Sequence, residues 1–254
     1  MVYALHRQPM EEKEKTLRME SIKLMTFNIH GGRARDGLRD INRIVQLLDE
    51  MNIDIAVFQE VETRVSRGGC NEDITTLAGA NRPHHVFAPS IIHHDGWYGN
   101  LIVSKYPVIR GLVHNLETTA QYEPRNAVDA LIETPLGKLR VIGTHLSLSI
   151  FERRSEARNL IRLMDAVEEK EKNPILLMGD LNEWQVPSKL LKFLDSHLTP
   201  ISCRSSFPSW LPFLKLDRVW YHGGSLNVSA KTLCSKSVSK LSDHLPIVVE
   251  IFAL

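Results

Sequence analysis

Eight polar side chains in this sequence follow, or lie within a residue or two of, short apolar segments of the kind that form buried strands. They are carboxylates, carboxamides and imidazoles, with no cysteine among them: Asn28, Glu60, His145, Asp180, Asn182, Asp217, Asp243 and His244. If the strands pack as two sheets with these ends on one rim, the side chains converge there. Oxygen-rich ligands without thiolates favour Mg²⁺ or Mn²⁺ over structural zinc. A metal ion, a base that activates water and fixed donors for phosphoryl oxygens are what phosphodiester hydrolysis requires.

The segment from 174 to 184 is the clearest of these. Its four apolar residues at 175–178 predict a short strand buried on both faces, and Gly179 then allows a sharp turn. Asp180 and Asn182 follow. Because alternate residues of an extended chain point the same way, both would face one cleft, where they suit a hard cation or a phosphate. An Asx turn that ends the strand is the simpler alternative.

The other candidates also have purely structural interpretations. Asn28 is a common kind of turn cap, and Glu60 is a common kind of surface residue. A single histidine on an apolar strand, such as His145, is more often hydrogen-bonded into the core than functional. Asp243 is placed to form an Asx turn ahead of Pro246. The combination and order of the residues, rather than any one of them, favour a catalytic site.

The elements that must position these residues are mostly strands. Apolar runs predict strands at 22–27, 53–58, 84–88, 99–103, 108–116, 127–133, 139–143, 175–178, 216–221, 228–233 and 247–252. Apolar residues at helical spacing predict helices at 38–51, 71–79, 151–170 and 188–194. Hairpin turns among helical crossovers indicate an α/β sandwich, with two packed, mostly mixed sheets flanked by helices.

The composition indicates a soluble globular protein. Charged residues make up 24% and hydrophobic residues 43% of the chain, which is ordinary for that class. The formal net charge of +1 gives no global basic field, so it neither indicates nor excludes a nucleic-acid substrate. Cys70, Cys203 and Cys234 lack metal-type spacing and would leave one thiol unpaired, which indicates a reducing compartment.

The ends of the chain and its longest apolar runs suggest where the protein resides. No run approaches the roughly 20 apolar residues that span a bilayer, and the first residues lack a signal-peptide pattern. We therefore expect a cytoplasmic protein with no transmembrane segment. A polar tail at 1–20 and a single domain at 21–254 are expected, and the sequence predicts no protein partner.

Six short motifs occur in one order along the chain. They are T-F-N at 26–28, F-Q-E-V at 58–61, G-T-H-L at 143–146, G-D-L-N at 179–182, L-D-R at 216–218 and S-D-H-L-P at 242–246. In these motifs the sequence resembles the endonuclease/exonuclease/phosphatase superfamily, with its deoxyribonuclease I-like fold, and particularly its small bacterial members. The resemblance implies a four-layered α/β sandwich with two central mixed β-sheets flanked by helices. It also implies a Mg²⁺-dependent phosphoesterase, with Mn²⁺ as the alternative ion.

The same resemblance implies a role for each motif residue. Glu60 would be the main Mg²⁺ ligand, with Asn28 and Asp243 close to the metal. His244 would be the general base or the proton-handling histidine at the scissile phosphate. Asp217 would accept a hydrogen bond from the His244 ring and hold its tautomer.

The remaining implied roles concern water and phosphate. Asp180 and Asn182 would position the nucleophilic water and a phosphate oxygen. His145 would be a phosphate donor or general acid, and a histidine at this position argues against the apurinic endonuclease branch. Arg125 resembles a phosphate-contacting arginine, although a solvated surface arginine is the alternative.

The substrate is the least determined feature. The aromatic and histidine-rich loop 93–98, with Tyr98 and the following Asn100, either shapes a substrate pocket or is an ordinary surface loop. The apolar, proline-rich segment 206–213 either packs under the fold or contacts a lipid or a base. Together with the resemblance, the sequence therefore predicts a phosphoester hydrolase, in the first place a phosphodiesterase and otherwise a phosphatase, that acts on DNA or RNA, or on a phospholipid or inositol head group. A catalytically inactive binding or scaffold protein of the same fold is the alternative.

Overall fold

The structure is a computed structural model and describes residues 20–116, 123–168 and 172–253. The polar tail predicted at 1–20 lies outside the described residues, apart from Glu20. The strands are β1 (Ser21–Asn28), β2 (Ile55–Glu62), β3 (His84–His93), β4 (Gly96–Ser104), β5 (Val108–Asn115), β6 (Asn126–Thr134), β7 (Gly137–His145), β8 (Ile175–Asp180), β9 (Thr199–Ile201), β10 (Asp217–His222), β11 (Leu226–Thr232) and β12 (Ile247–Ala253). The helices are α1 (Asn42–Glu50), α2 (Asp73–Ala78), α3 (Ile150–Glu168) and α4 (Lys189–Asp195).

The strands form two mixed sheets. The first has the order β11-β12-β1-β2-β4-β3, and the second has the order β5-β6-β7-β8-β10-β9. β1 and β2 are parallel, as are β7 and β8, and the other neighbouring pairs are antiparallel. Each parallel pair needs a crossover connection, and α1 and α3 provide these crossovers.

Three apolar cores separate four layers. The middle core lies between the sheets and contains residues from both, such as Leu24, Val57 and Met178. A second core joins the first sheet to α1 and α2, and a third joins the second sheet to α3 and α4. This arrangement confirms the predicted four-layered α/β sandwich with two central mixed sheets.

The differences from the predicted elements have local causes. α1 begins at Asn42 rather than at residue 38, because the chain before it forms a bridge between Arg33 and Arg39 and a turn in which Asp40 accepts a hydrogen bond from the Asn42 amide at 3.0 Å. β9 was not predicted, because three residues with a central Pro200 carry no periodic signal. Among the described residues, no helix is both long enough and apolar enough to cross a membrane.

Candidate active site

The strand register gathers three polar residues of the second sheet. His145, the last residue of β7, pairs with Asp180, the last residue of β8. β10 runs antiparallel to β8, so its first residue, Asp217, pairs with Asp180 from the other side. Paired residues of neighbouring strands project from the same face, and these three side chains therefore lie together at one edge of the sheet.

The first sheet supplies Asn28 and Glu60 to the same rim. Asn28 ends β1, where it pairs with Gln59 of the parallel strand β2. The sequence predicted that this strand ends at Phe58. In the structure β2 continues through Glu60 to Glu62, and its register shifts around Glu60. Glu60 has a φ of 57°, which is uncommon for a residue other than glycine. At this bulge, Glu60 Oε1 accepts a hydrogen bond from Asn28 Nδ2 at 2.9 Å.

The loop before β12 carries Asp243 and His244 to the rim. The buried Ser242 hydroxyl donates to the Asn28 carbonyl oxygen at 2.7 Å. The same hydroxyl accepts from the His244 amide at 3.3 Å. Ser242 thus ties this loop to the end of β1, and the two halves of the site come from different sheets.

Asp180 is the centre of the assembled site. Its Oδ2 accepts from Asn28 Nδ2 at 3.0 Å, and its Oδ1 accepts from the Asn182 amide at 2.9 Å. Oδ2 also lies 3.6 Å from His244 Nε2 and 3.7 Å from His145 Nε2. A buried carboxylate with two histidines and an amide around it can hold a water molecule or a phosphate oxygen in a fixed place.

The two histidines differ in protonation. Burial lowers the pKa of the His244 imidazole, but the charges of Asp217 and Asp180 outweigh burial and raise that pKa to about 10. His244 Nδ1 donates to Asp217 Oδ2 at 2.8 Å, which fixes the ring. Burial and the nearby Arg125 guanidinium lower the pKa of His145 to about 3. At neutral pH the site therefore holds a charged His244 and a neutral His145.

Neighbouring groups also orient the neutral ring. Asn182 Nδ2 donates to the Leu146 carbonyl at 2.9 Å and lies 3.0 Å from His145 Nε2. Both nitrogens of the neutral ring face donors, because the Asn182 amide nitrogen points at Nε2 and the Arg125 guanidinium points at Nδ1. Arg125 Nη1 lies 3.4 Å from that Nδ1 and forms a 2.7 Å ion pair with Glu123.

The donor set beside Asp180 fits a hard divalent cation. His30 Nδ1 lies 3.7 Å from Glu60 Oε2 and 3.6 Å from Asp243 Oδ2, so two carboxylates face one point. Burial raises the pKa of the Glu60 carboxyl, and the charges of Asp180 and Asp243 raise it further. A cation would relieve this repulsion. Carboxylate oxygens from Glu60 and Asp243 are ligands of the type that Mg²⁺ and Mn²⁺ take. Asn28 lies beside them, with its Nδ2 donating to Glu60 and its Oδ1 accepting from the His30 amide at 3.1 Å.

Within the part of the chain that the structure describes, two other groups of ligand atoms are close enough to hold a metal. In each group the ligand atoms lie within 4.8 Å of one another, and the groups are Asp180 with Asp217 and His244, and His93 with His94 and Asp95. The first belongs to the site, where the Asp217–His244 hydrogen bond occupies one of its nitrogens. The second is in the β3–β4 turn and does not line the active-site cavity.

The site opens into a cavity of about 540 Å³. Its polar and charged lining residues are His30, Glu60, Tyr98, Glu123, Arg125, His145, Asp180, Asn182, Asp243 and His244. Its apolar lining residues are Leu148, Trp184, Phe207, Leu214 and Leu216. The cavity therefore has a polar part, which contains the catalytic candidates, and an apolar part, which suits an apolar or aromatic group.

The predicted substrate-binding residues separate into two sets. Tyr98 and Arg125 line the cavity, and burial raises the pKa of the Tyr98 hydroxyl, so it stays protonated. Asn100 does not line the cavity. Its buried Nδ2 donates to Asn126 Oδ1 at 2.9 Å and joins β4 of the first sheet to β6 of the second. The side-chain amide of Asn100 thus holds the sheets together.

Several cavity residues were not identified from the sequence. His30 lies two residues after Asn28 and also lines the cavity. Its place in the N-I-H-G-G segment directly after a predicted strand could have indicated this. Phe207 belongs to the segment 206–213, for which the sequence left packing under the fold or substrate contact open, and its ring packs against His244 with 4.9 Å between centroids. Leu148 and Trp184 also line the cavity, and no pattern in the sequence predicts this, because neither belongs to a polar motif.

The sequence matches a family model over most of its length. The model of the Endonuclease/Exonuclease/phosphatase family matches residues 25–244, which include every residue of the site described above. No curated protein sequence is similar enough to this chain to count as a match.

Solved structures share the fold. The chain is similar to an endonuclease/exonuclease/phosphatase from Beutenbergia cavernae, with 22% identity, 92% of this chain and 72% of that chain covered, and a TM-score of 0.71. It is similar to the mannosyl-6-phosphatase of Bacteroides thetaiotaomicron, with 14% identity, 91% and 99% coverage and a TM-score of 0.74. It is also similar to the human nocturnin catalytic domain with a bound sulfate anion, with 19% identity, 91% and 93% coverage and a TM-score of 0.70.

Proposed function

Because this chain belongs to the endonuclease/exonuclease/phosphatase family, we propose that it is a Mg²⁺-dependent hydrolase of phosphoester bonds, and specifically a phosphodiesterase. The observation that carries the proposal is the Asp217–His244 pair, whose imidazole lies 3.6 Å from Asp180 at the wall of an open cavity. Mn²⁺ is the alternative ion.

Each side chain takes one part of the reaction. Asp180 holds the attacking water and accepts its proton, because its carboxylate is central and Asn182 fixes one of its oxygens. The protonated His244, held by Asp217, donates to a phosphoryl oxygen or to the leaving group. Mg²⁺ bound by Glu60, with Asn28 and Asp243 beside it, would supply positive charge next to the phosphate.

His145 and the residues around it complete the phosphate site. A neutral His145 cannot serve as a general acid at neutral pH, so we assign it to phosphate contact. Arg125 contributes a permanent positive charge on the same wall. A sulfate anion bound to the nocturnin catalytic domain supports tetrahedral-anion binding on this fold.

The charge balance favours a diester over a monoester. Among the described residues that line the cavity, Arg125 bears a guanidinium and His244 an imidazolium, whereas four carry carboxylates: Glu60, Glu123, Asp180 and Asp243. With a bound Mg²⁺ the positive charges would only equal the negative ones, so no surplus positive charge is left for a dianion. A phosphodiester carries one negative charge and a phosphomonoester carries up to two near neutral pH, so the diester meets less repulsion here. The mannosyl-6-phosphatase has the same fold, which makes a sugar monoester the second substrate class to test.

Hydrolysis of bis-p-nitrophenyl phosphate and of p-nitrophenyl phosphate, with Mg²⁺, Mn²⁺ or EDTA, tests the proposal. We expect metal-dependent cleavage of the diester, which EDTA abolishes and excess Mg²⁺ restores. His244→Ala should remove turnover while leaving the melting temperature near that of the wild type. Metal-independent turnover, or turnover that survives in His244→Ala, would show that the mechanism is wrong.

A second experiment separates an enzyme from an inactive scaffold of the same fold. Glu60→Gln keeps the shape of the side chain but removes its charge, so the Mg²⁺ concentration for half-maximal activity should rise about tenfold or more. Glu133→Gln, at an exposed position on β6, is the matched control and should behave as the wild type. If the protein hydrolyses neither ester and Glu60→Gln binds Mg²⁺ as the wild type does, the inactive scaffold is favoured.

A further inference from the structure

Exposed apolar side chains concentrate around the active-site cavity. Seven of the thirteen exposed large hydrophobic residues in the described part of the chain lie in three short segments, 148–151, 184–186 and 210–213. They are Leu148, Phe151, Trp184, Val186, Trp210, Leu211 and Phe213. Each segment either contributes residues to the cavity wall or adjoins residues that do. An exposed apolar group of this size beside a site marks an interaction surface.

The segment 206–214 is a hairpin with an apolar tip. Its ends pair through Phe207 and Leu214, which both line the active-site cavity. Beyond that pair, Trp210, Leu211 and Phe213 are 61%, 59% and 66% exposed. Nothing in the described structure packs over these side chains, so the tip presents an indole, an isobutyl group and a phenyl ring to solvent.

The base of the hairpin is fixed to the catalytic loop. Ser209 Oγ donates to the Ser242 carbonyl at 2.7 Å, and its amide donates to the Asp243 carbonyl at 2.7 Å. The Ser206 carbonyl accepts from the Leu245 amide at 2.8 Å. A buried base and an exposed apolar tip show that the tip is held outward by the structure, not left exposed because the segment is loose.

A basic cavity lies on the other side of the hairpin. It has a volume of about 900 Å³ and includes Pro212 of the hairpin, together with Arg204, Lys215 and Lys231. Among the described residues, no aspartate or glutamate lines it. Ser202, Ser205 and Thr232 also line it, as do Cys203 and Cys234, and the Thr232 hydroxyl donates to the Arg204 carbonyl at 2.8 Å. The lining can therefore hold an anionic group with both charge and hydrogen bonds.

We propose that the hairpin tip and the basic cavity form a surface that docks on an anionic phospholipid bilayer. Tryptophan, phenylalanine and leucine insert at the boundary between head groups and acyl chains, and neighbouring lysine and arginine residues pair with anionic head groups. The hairpin carries the apolar residues for insertion, and Arg204, Lys215 and Lys231 beside it supply the positive charges for the head groups. A basic region beside an apolar tip complements a negatively charged bilayer, whereas a neutral apolar protein surface would leave these charges unpaired.

Docking in this way would bring the active-site cavity to the lipid surface. Phe207 and Leu214 of the hairpin line that cavity, and the exposed Leu148 and Trp184 line another part of its wall. The apolar part of the cavity would then face acyl or glycerol groups while the polar part holds the phosphate. This step rests on the proposed function, and it makes a phospholipid head-group ester the substrate class.

Co-sedimentation with vesicles tests the docking surface without requiring activity. The full chain is mixed with vesicles of phosphatidylcholine alone, or of phosphatidylcholine with about one third phosphatidylglycerol. We expect binding to the anionic vesicles that weakens as salt is added. Trp210→Ser combined with Phe213→Ser should weaken it about tenfold or more, because two inserted rings are lost. Lys215→Gln combined with Lys231→Gln should weaken it by about fivefold for each charge removed.

Ile109→Ser combined with Val113→Ser is the matched control. These β5 residues are 47% and 48% exposed and do not line either cavity, so binding should equal that of the wild type. Circular dichroism and melting temperature confirm that each variant is folded. Failure of the wild type to sediment, or binding that survives Trp210→Ser with Phe213→Ser, would overturn the proposal.

Other occupants of the surface give different results. Concentration-dependent dimerisation that Trp210→Ser with Phe213→Ser removes, without vesicle binding, would assign the tip to a second copy and overturn lipid docking. Equal binding to neutral and anionic vesicles would overturn the role of the basic cavity. Vesicle binding by a protein that hydrolyses neither nitrophenyl ester would leave docking intact and count against the proposed function, so the two failures are distinguishable.

Discussion

At the scale of single residues, Asp217 determines the charge of the cavity through His244. Its side chain is buried, and one of its oxygens accepts the His244 Nδ1 proton at 2.8 Å. The charge of Asp217 is the largest of the effects that raise the pKa of His244. Asp217 therefore keeps His244 protonated although Asp217 itself does not line the cavity.

Asp217→Asn should lower the pKa of His244 and slow turnover. The amide keeps the shape of the side chain but loses the charge that holds the imidazolium, so burial would then dominate. We expect kcat on bis-p-nitrophenyl phosphate to fall by about 10²- to 10⁴-fold, with the His244 titration in NMR spectra moving to lower pH. Asp165→Asn, exposed on α3, is the control. An unchanged His244 titration would contradict the assignment.

At the scale of elements, a buried ion-pair cluster joins the second sheet to α3. Asp129 on β6 accepts from Arg140 Nε on β7 at 3.0 Å and lies 2.7 Å from His114 Nε2 on β5. Arg140 also donates to the Met164 carbonyl of α3 at 3.2 Å. Burial raises the pKa of the Asp129 carboxyl, but His114 and Arg140 outweigh this and lower it overall. The Asp129 carboxylate is therefore kept charged by the groups that surround it, and it is the countercharge of Arg140.

Asp129→Asn should destabilise the fold by about 3–5 kcal/mol, because it leaves the buried Arg140 guanidinium without its countercharge. The free energy of unfolding in urea measures this loss. Asp129→Leu combined with Arg140→Met removes both charges and should recover most of it. Asp36→Asn breaks an exposed pair with Arg43 and should leave the free energy of unfolding nearly unchanged, because solvent screens that pair. A loss as small for Asp129→Asn as for Asp36→Asn would refute the prediction.

The contact between α3 and the loop after β7 makes the stability of the fold depend on pH. Glu156 on α3 accepts a hydrogen bond from the Ser147 amide at 2.8 Å, two residues after His145. Burial raises the pKa of the Glu156 carboxyl from 4.5 to about 7. The folded state then binds this proton more tightly than the unfolded state. Its contribution to stability is complete below pH 4.5 and is lost as the pH rises to about 7.

Glu156→Gln should remove that dependence. Its amide oxygen can still accept from Ser147, and it has no charge to desolvate. We expect the wild type to lose about 1–3 kcal/mol of unfolding free energy relative to Glu156→Gln between pH 4.5 and pH 7.5. Urea unfolding at several pH values measures the difference, with Glu133→Gln as the exposed control. The same slope in wild type and Glu156→Gln would rule the carboxyl out as its source.

At the scale of the whole molecule, the sequence predicted the fold and the family because both leave local patterns. Apolar runs placed most strands, and the motif residues at strand ends placed the rim, where Asp180 and Asp217 meet. The bulge at Glu60 could not be predicted, since it depends on pairing with β4. Asn100 was placed in the substrate site, but its amide bonds across the sheets to Asn126. The roles of the site residues stay predictions until turnover is measured.

The distance between the two sheets determines whether the site is assembled. Asn28 and Glu60 come from the first sheet, whereas His145, Asp180 and Asp217 come from the second. His145 Nε2 lies 3.9 Å from Glu60 Oε1, across that boundary. Sheets packed through buried apolar side chains approach no closer than those side chains allow. The interior of the sandwich therefore controls the geometry of the rim.

Gly143→Ala tests this control. A Cβ at Gly143 on β7 would lie 2.2 Å from Val57 Cγ1 on β2, in the other sheet, and 3.0 Å from Val128 Cγ1. Relief of that overlap requires the sheets to separate, and we expect a loss of about 1–3 kcal/mol in unfolding free energy. Since His145 is two residues further along β7, kcat for the diester should also fall, by about tenfold.

Val57→Ala in the same chain removes the methyl group that the new Cβ meets. The double variant should therefore recover both stability and kcat relative to Gly143→Ala. Val57→Ala alone should lose stability by leaving a cavity but keep kcat, because no group then forces the sheets apart. If the two substitutions merely add in their effects on stability and on kcat, the sheets do not set the geometry of the site. If they compensate each other, residues in the interior of the sandwich position the catalytic rim.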